Sequence, residues 1–312
     1  MRMLFSHDTI RAGQKELVET ITQALRDKKH VLAHAPTGLG KTAAALCPAI
    51  EIAMERDLTV FFLTSRHTQH RIVLETIHKL KQKTKLPILA TSLIGKKWMC
   101  AQENAQNLPS GDFTQYCKSL VEGNQCEYYL NARGKNNLNA LKVLQELKMD
   151  APHATESVVA RASAEKICPY EMSLMMAEES KVIIADYFYL FNPHIRDSLF
   201  AKLKKKIEQA IIIVDEGHNL ASRLRDLLTF RLTNNMMKLA IQEAKKSGLD
   251  DEMSSLIEVQ DVLNKLSADV KEERLVKEEA FTAQVEKFKK YDELVDELML
   301  ASELSKEEEK IS

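Results

Sequence analysis

The sequence predicts an α/β fold in which a parallel sheet covered by helices carries an inserted module and is followed by a helical domain. Three observations indicate this. Short apolar runs alternate with segments of helical spacing over residues 1–94 and 176–222, as in parallel sheets whose strands are joined by helices. Residues 95–175 are polar, contain turn-forming pairs and hold four cysteines. Residues 223–312 show apolar residues at steps of three and four among abundant Lys and Glu, without strand signals.

Within the sheet-forming segments, the apolar periodicity predicts each element in turn. Apolar residues three and four positions apart predict helices, and short aliphatic runs predict buried strands. The predicted helices are Gln14–Arg26, Lys41–Arg56 and His67–Lys81, and the predicted strands are His30–His34, Leu58–Thr64, Pro87–Ser92, Lys181–Asp186 and Ala210–Asp215. The aromatic string Tyr187–Phe191 is interpreted as core packing.

Composition limits the class of protein. At 312 residues the chain is long enough for two or three domains with full cores. Its net charge of -1 does not indicate a nucleic-acid binder, so any such contact must be local. No apolar run is long enough to span a membrane, and the first residues lack the apolar core of a secretion signal. We therefore expect a cytoplasmic protein without a membrane partner, whose cysteines stay reduced and, where clustered, bind metal.

A phosphate-binding loop is predicted at Ala35–Thr42, between a predicted strand and a predicted helix. Gly38 and Gly40 allow backbone amides to converge on phosphate oxygens, Lys41 brings a positive charge to the terminal phosphates, and the Thr42 hydroxyl can bind Mg²⁺. The first position is Ala, where the general pattern has Gly. The sequence thus predicts an ATP–Mg²⁺ site.

An acidic box follows the last predicted strand. Asp215 can hold Mg²⁺ while Glu216 orients the attacking water, which is the chemistry of ATP hydrolysis. Two surface acids at a strand end are the plain alternative, but the string Asp-Glu-Gly-His-Asn after four aliphatic residues disfavours it. His218 is a candidate for coupling the nucleotide to the rest of the lobe, although a lone His is more often structural.

Four cysteines lie between these two motifs. Sixteen, eight and forty-one residues separate them in turn, so no close Cys-x-x-Cys pair exists. This spacing disfavours a zinc ribbon and leaves a loosely spaced zinc site or a cubane iron–sulfur cluster, with four unrelated buried thiols as the structural alternative. Pro169 follows the last cysteine, as in bacterial ferredoxins. The candidate metal ligands are Cys100, Cys117, Cys126 and Cys168, and the fifth cysteine, Cys47, is assigned to the core.

Six strings of the sequence resemble the XPD-type iron–sulfur DNA helicases of superfamily 2, close to their archaeal members. Gly217 departs from the usual pattern, since the family has Ala there. The resemblance covers nearly the whole chain. The strings are Arg11 with Gln14 as the adenine-side element, Ala35–Thr42 as motif I, Leu63–Gln69 as motif Ia, Val214–Leu220 as motif II, Cys168–Glu171 and Ala185–Phe191.

This resemblance implies a RecA-like first lobe carrying a four-cysteine 4Fe-4S domain and a helical arch, which together surround single-stranded DNA during ATP-driven unwinding from 5′ to 3′. It also implies a partner, because such helicases have a second RecA-like lobe that supplies an arginine to the nucleotide. Nothing after Ser222 supplies the motifs of that lobe. An arginine of this kind is worth orders of magnitude in phosphoryl-transfer rate, so we predict nucleotide binding with little turnover by this chain alone.

DNA contacts are predicted at two places. Arg66, His67 and Gln69 follow a strand end, where ligands bind to parallel sheets. Cations and an aromatic residue near the cysteines form a weaker signal of the type used to bind single strands. These residues are Lys96, Lys97, Trp98, Arg133 and Lys135.

Two other functions compete with the helicase hypothesis. One is a metal-stabilised ATP-binding regulatory or scaffold protein without helicase activity, in which the cysteine site is structural and nucleotide acts as a switch. The other is a different phosphate-loop ATPase with a zinc module, which would make the strings Arg66–Gln69 and Cys168–Glu171 coincidental.

Overall fold

The computed structural model describes residues 4–6, 9–36, 38–229, 231–270 and 276–309. The chain divides into two compact units, Met1–Leu228 and Thr229–Ser312. The first unit contains the sheet and the cysteines, and the second is helical. The predicted three-part division at residues 94/95, 175/176 and 222/223 stays a prediction.

A four-stranded parallel sheet forms the centre of the first unit. Its strands are β1 (Thr59–Leu63), β2 (Ala90–Ser92), β3 (Val182–Ala185) and β4 (Ala210–Val214), in the order β2-β3-β1-β4. β1 and β3 lie inside the sheet and are buried along their whole length. Strands buried on both faces appear in the sequence as continuous apolar runs, and these strands are accordingly confirmed to within a few residues.

Helices cover both faces of this sheet. Along β1, Val60 and Phe62 point to one face, where they pack with α1 (Ala12–Arg26), α2 (Lys41–Glu55) and α3 (His67–Thr84). On the other face Phe61 and Leu63 pack with α8 (Pro169–Glu179) and α10 (Pro193–Leu203), and the rings of Phe61 and Phe200 stack with centroids 5.1 Å apart. The remaining helices of this unit are α4 (Ser110–Glu122), α5 (Glu127–Arg133), α6 (Leu138–Met149), α7 (Thr155–Ala164), α9 (Phe188–Phe191) and α11 (Leu220–Leu228).

The cysteine-bearing segment is a long insertion between β2 and β3. Its own core is formed by α5, α6, α7 and α8. α8 takes part in two cores, because Met172 and Met176 pack into the insertion, while Leu174 and Ala177 pack against the sheet. The insertion is therefore an enlarged crossover connection whose last helix rests on the sheet.

One predicted strand is wrong. Residues 29–36 form neither helix nor strand, and Leu32 is fully exposed. A strand requires a neighbour for its backbone hydrogen bonds. β4 is an edge strand whose outer edge pairs with no strand among the described residues, and Ile212 on β4 is 41% exposed. The apolar run His30–His34 therefore does not add to this free edge of the sheet.

The second unit is a helical bundle, as predicted. Its helices are α12 (Asn234–Lys246), α13 (Asp250–Ser267), α14 (Glu278–Val285) and α15 (Tyr291–Glu309). Met237, Val259, Val285 and Leu294 form its core. Within the described residues, no helix has the length and apolar character that a bilayer crossing requires.

Candidate functional site

The phosphate loop connects residues 29–36 to α2. Gly38 and Gly40 have φ angles of 85° and 82°, which place both in the left-handed region that glycine occupies without strain. α2 begins at Lys41, so its unpaired amides and the positive end of its dipole face the loop. The Lys41 Nζ donates a hydrogen bond to the Ala35 carbonyl at 3.1 Å. Thr42 is half-buried in the first turn of α2, and Thr37 lies outside the described residues.

Two side chains of the predicted adenine-side element hold this loop. Arg11 donates from Nη1 to the Gly38 carbonyl, and Gln14 donates from Nε2 to the Gly40 carbonyl at 3.2 Å. Gln14 also accepts from the Arg11 backbone amide at 3.2 Å, which caps α1. The loop is thus positioned by α1 as well as by α2.

The acidic box lies at the carboxyl end of β4. The Asp215 amide donates to the Leu63 carbonyl at 2.9 Å, which fixes Asp215 just beyond the sheet. Burial and the neighbouring Glu216 carboxylate raise the pKa of Asp215, and the positive charge of Lys41 lowers it in part. Lys41 of the phosphate loop therefore acts electrostatically on the first acid of the box.

The other two acidic-box candidates are also close together. Glu216 has a left-handed φ of 52°. His218 is exposed, and its Nδ1 lies 3.4 Å from Glu216 Oε2. His218 therefore contacts the second acid of the box.

All four candidate cysteines line one cavity, together with Lys96, Tyr170 and other residues of the insertion. Cys126 and Cys168 are the N-cap residues of α5 and α8, where helix dipoles favour a thiolate. Burial nevertheless raises the pKa of Cys168 to about 12. Among the residues that the structure describes, no group of three or more His, Cys, Asp or Glu is arranged to hold a single metal ion.

Cys100 and Cys117 reach the cavity from different elements. Cys100 follows a short 3-10 turn and Cys117 lies within α4. Burial raises the pKa of Cys100, with smaller contributions from the other thiols. Cys47 is fully buried in the core between α2 and the sheet, as predicted, and burial raises its pKa to about 11.

The side chains of the predicted DNA-contact residues differ in their exposure and in their hydrogen bonding. Arg66 is exposed and is the N-cap residue of α3, beyond the carboxyl end of β1. Gln69 is half-buried, and its side-chain oxygen accepts a hydrogen bond from the Thr64 hydroxyl. This oxygen is therefore already engaged within the fold. The side chain of His67 lies outside the described residues.

Some of the cationic side chains near the cysteines already have partners within the protein. Arg133 pairs with the buried Glu171 at 2.9 Å. Lys97 Nζ lies 5.1 Å from the centroid of the Trp98 ring, which is 54% exposed. Lys135 is exposed. Of this group, Trp98 and Lys135 have the greatest access to a ligand.

A family profile described as DEAD_2 matches residues 62–237. The chain belongs to the DEAD_2 family. The matched range begins within β1 and includes the cysteine insertion and the acidic box.

Named relatives of this DEAD_2 chain are helicases. The regulator of telomere elongation helicase 1 homolog of Caenorhabditis elegans is 22% identical over 268 residues, which cover 75% of this chain and 26% of that protein. The ATP-dependent DNA helicase XPD of Sulfolobus acidocaldarius is 25% identical over 240 residues, with 76% and 37% covered. The chain therefore spans about a quarter of the first of these two relatives and somewhat over a third of the second.

Solved structures show the same fold. The structure named XPD_Helicase matches with a TM-score of 0.53 and 20% identity, covering 90% of this chain and 47% of that chain. A structure named Truncated XPD matches with a TM-score of 0.52 and 20% identity, covering 88% and 76%. The predicted resemblance to XPD-type helicases is confirmed.

One residue that contacts the acidic box was not predicted from the sequence of this DEAD_2 chain. Tyr187 was assigned to core packing, and its ring is buried. Its hydroxyl, however, donates to the backbone carbonyl of Asp215 and lies 3.2 Å from that of Glu216. The position of Tyr187 just after β3, a strand end beside the acidic box, is the signal that could have indicated this role.

Proposed function

We propose that this chain is the part of an ATP-dependent 5′-3′ DNA helicase that binds ATP–Mg²⁺ and single-stranded DNA. The observation that carries the proposal is the position of the two motifs at the sheet: a loop with left-handed Gly38 and Gly40 leads into α2 at Lys41, and the Asp215 amide is bonded just beyond the carboxyl end of β4. The positive charge of Lys41 lowers the pKa of Asp215 in part, which supports a shared site. A nucleotide bound between the two motifs would lie at the carboxyl edge of the sheet, where ligands of parallel α/β folds bind.

Each residue of this site has a distinct part in nucleotide binding. The loop amides around Gly38 and Gly40 and the first amides of α2 receive phosphate oxygens. Lys41 exchanges its hydrogen bond with the Ala35 carbonyl for the terminal phosphates. Thr42 and Asp215 are the residues that would hold Mg²⁺, which supplies neutralisation of phosphate charge when bound.

The other residues at the acidic box orient water or hold the box in position. Glu216 orients the attacking water, and the adjacent His218 contacts Glu216 rather than Asp215. Tyr187 holds the backbone of the box through its hydroxyl. Arg11 and Gln14 fix the loop and lie on the side where the family resemblance places the adenine.

Nucleotide binding and turnover are tested separately. A fluorescent ATP analogue should bind the chain, and Lys41→Ala should abolish binding, whereas Lys15→Ala, an exposed lysine on α1, should leave it unchanged. DNA-stimulated ATP hydrolysis should be weak until a second RecA-like lobe is co-expressed. Robust turnover by this chain alone would refute the predicted need for a second lobe.

We also propose that Cys100, Cys117, Cys126 and Cys168 hold a 4Fe-4S cluster. The donor set fits, because a cubane takes one thiolate for each iron and all four sulfurs line one cavity. Two of the cysteines begin helices, whose N-terminal amides favour thiolates. Lys96 adds a positive charge that Cys117 attracts. The cluster, when bound, supplies covalent bracing between α4, α5, α8 and the 3-10 turn before Cys100.

Metal analysis tests this assignment. Anaerobically purified protein should contain iron and acid-labile sulfide, and Cys126→Ser or Cys168→Ser should lose both. Cys47→Ala is the matched control, because Cys47 lies in the sheet core away from the cavity, and this variant should keep the cluster. Zinc without sulfide in the unaltered protein would contradict the proposal.

Single-stranded DNA binding follows from the exposed residues at the carboxyl edge. Replacing Arg66 by Ala should lower the slope of log affinity against log salt by about 1, as expected for one lost phosphate contact. Arg71→Ala is the control, since Arg71 is exposed on the same helix but pairs with Glu75 at 2.9 Å. Equal effects of the two substitutions would remove Arg66 from the DNA path. The 5′-3′ direction rests on the family resemblance.

The competing function, a metal-stabilised ATP-binding regulatory or scaffold protein, makes different predictions. It expects a zinc-only site, no salt-sensitive binding to single strands and no gain in turnover from a second lobe. The three measurements above therefore separate the two functions.

A further inference from the structure

A polar cavity lies at the edge of the sheet opposite the nucleotide site. Its volume is about 240 Å³. It is lined by the turn after α2, by the first residues of β1, by the residues just before β3 and by the segment between α10 and β4. These are the amino ends of parallel strands, whereas the phosphate loop and acidic box lie at the carboxyl ends. The cavity is therefore separate from the proposed ATP site.

Four lysines line this cavity, namely Lys181, Lys204, Lys205 and Lys206. Two of the four have carboxylate partners. Lys181 pairs with Asp57 at 2.6 Å, and Lys204 pairs with Glu178 at 2.5 Å. The acidic residue Glu179, which also lines the cavity, already pairs with Lys148 outside it at 2.5 Å. Within the described residues, Lys205 and Lys206 form no ion pair, so the cavity has an excess of positive charge.

Lys205 is the residue that indicates a ligand. It is half-buried. Burial, followed by the charge of Lys181, lowers the pKa of Lys205, and the carboxylates of Asp57 and Glu178 offset this only in part. Two ammonium groups therefore lie close enough to repel each other in a partly desolvated cavity. An anion between them would relieve both the repulsion and the lost solvation.

The backbone holds these lysines in place. Leu203, the last residue of α10, is almost completely buried, and Lys204 follows in the left-handed conformation with a φ of 53°. The Lys205 amide then donates to the Phe200 carbonyl at 3.2 Å. The positive charge of Lys204 is explained by its favourable interaction with the negative C-terminal end of α10. That interaction does not explain why Lys205 is half-buried and, among the described residues, forms no ion pair.

We propose that this cavity binds a small phosphate anion with at least two negative charges, of the class of pyrophosphate. The volume is below that of pockets for drug-sized ligands and equals several water molecules, which suits a small anion. The carboxylates of Asp57 and Glu179 stand among the lysines, and they would repel the continuous charge of a nucleic-acid backbone. A compact anion can contact the unpaired lysines without meeting these acids.

The experiment uses the full chain with Lys41→Ala, which removes phosphate binding at the ATP site. Pyrophosphate is titrated by calorimetry at physiological ionic strength. We expect saturable binding, which Lys205→Gln weakens by about tenfold or more, the usual effect of one charge-assisted hydrogen bond. Lys202→Gln is the matched control, because Lys202 is exposed on α10 and does not line the cavity, and it should leave the affinity unchanged.

A second measurement does not depend on the folding of a cavity variant. Reductive methylation with ¹³C keeps lysines charged, and the Lys205 resonance should shift with pyrophosphate while its pKa rises. Absence of saturable binding, or an unshifted Lys205 resonance, would overturn the proposal. Displacement of pyrophosphate from Lys205 by a single-stranded oligonucleotide would overturn it in favour of nucleic acid. The outcome is independent of ATP binding, because the ATP site has been removed.

Discussion

Gly40 is the position where the phosphate loop is most sensitive to a single added methyl group. Its φ of 82° costs any other residue roughly 1–2 kcal/mol. A Cβ at this position would also collide with the Gln14 amide, the far end of a flexible side chain that could move only by giving up its hydrogen bond to the Gly40 carbonyl. That lost hydrogen bond adds roughly 0.5–1.5 kcal/mol. We therefore expect Gly40→Ala to reduce the free energy of unfolding by about 2–3 kcal/mol.

Two other glycines are controls, because alanine at each should reduce the free energy of unfolding by less than alanine at Gly40. Gly38 has a similar φ of 85°, but an added Cβ would meet nothing within 4 Å, so Gly38→Ala should cost only the backbone strain of roughly 1–2 kcal/mol. Gly217 has open space around it and no left-handed φ, so Gly217→Ala should change the free energy of unfolding by less than about 0.5 kcal/mol.

Urea unfolding without nucleotide, followed by tryptophan fluorescence, measures these differences. Trp98 is the single tryptophan of the chain and lies in the first unit. In a Gln14→Ala background the Gly40→Ala cost should fall to that of Gly38→Ala, because the collision and the hydrogen bond are both absent. Equal costs for Gly40→Ala and Gly38→Ala in the unaltered background would refute the reasoning.

Three further predictions concern other contacts. Tyr187→Phe removes the hydroxyl that holds the acidic box, so it should lower the unfolding free energy by about 1 kcal/mol and weaken binding of the ATP analogue; unchanged binding would exclude a positioning role. Arg133→Ala leaves the carboxylate of Glu171 buried without this partner and should cost about 1–3 kcal/mol in urea unfolding, the penalty of a buried polar group left unsatisfied, most of which Glu171→Gln should restore in the double variant. Hydrogen bonding and attraction from Lys181 lower the pKa of Asp57, so this pair contributes fully above the ordinary Asp pKa of 3.8, and the contribution is lost as the pH falls from 3.8 through the lower pKa of the folded state. Asp57→Asn should therefore lower the urea midpoint at neutral pH, and a difference that does not shrink as the pH falls below 3.8 would contradict this assignment.

The sequence identified the sheet well where strands are buried on both faces. β1 and β3 are continuous apolar runs with helices above and below, so their composition reflects their position. The same signal failed for His30–His34, because an apolar run does not reveal whether it will pair with a neighbouring strand. Strand pairing is decided by the tertiary fold, so a local sequence pattern does not predict it.

The site residues also divide into those that local sequence predicts and those that depend on how the helices pack. The phosphate loop and the acidic box are short motifs whose chemistry is local, and both lie at the carboxyl end of the sheet in the structure. Convergence of the cysteines depends on how α4, α5 and α8 pack, which the irregular spacing could not predict. The role of Tyr187 was missed because a buried aromatic ring satisfies the core pattern whatever its hydroxyl contacts.

The double packing of α8 gives the cysteine cavity a mechanical connection to the sheet. The helix begins at Pro169, directly after Cys168, spans about 16 Å at 1.5 Å per residue, and ends just before β3. Its side chains pack on the insertion on one side and on the sheet on the other. One rigid element therefore joins a cysteine of the cavity to the start of the strand that leads to Tyr187, whose hydroxyl bonds the acidic box.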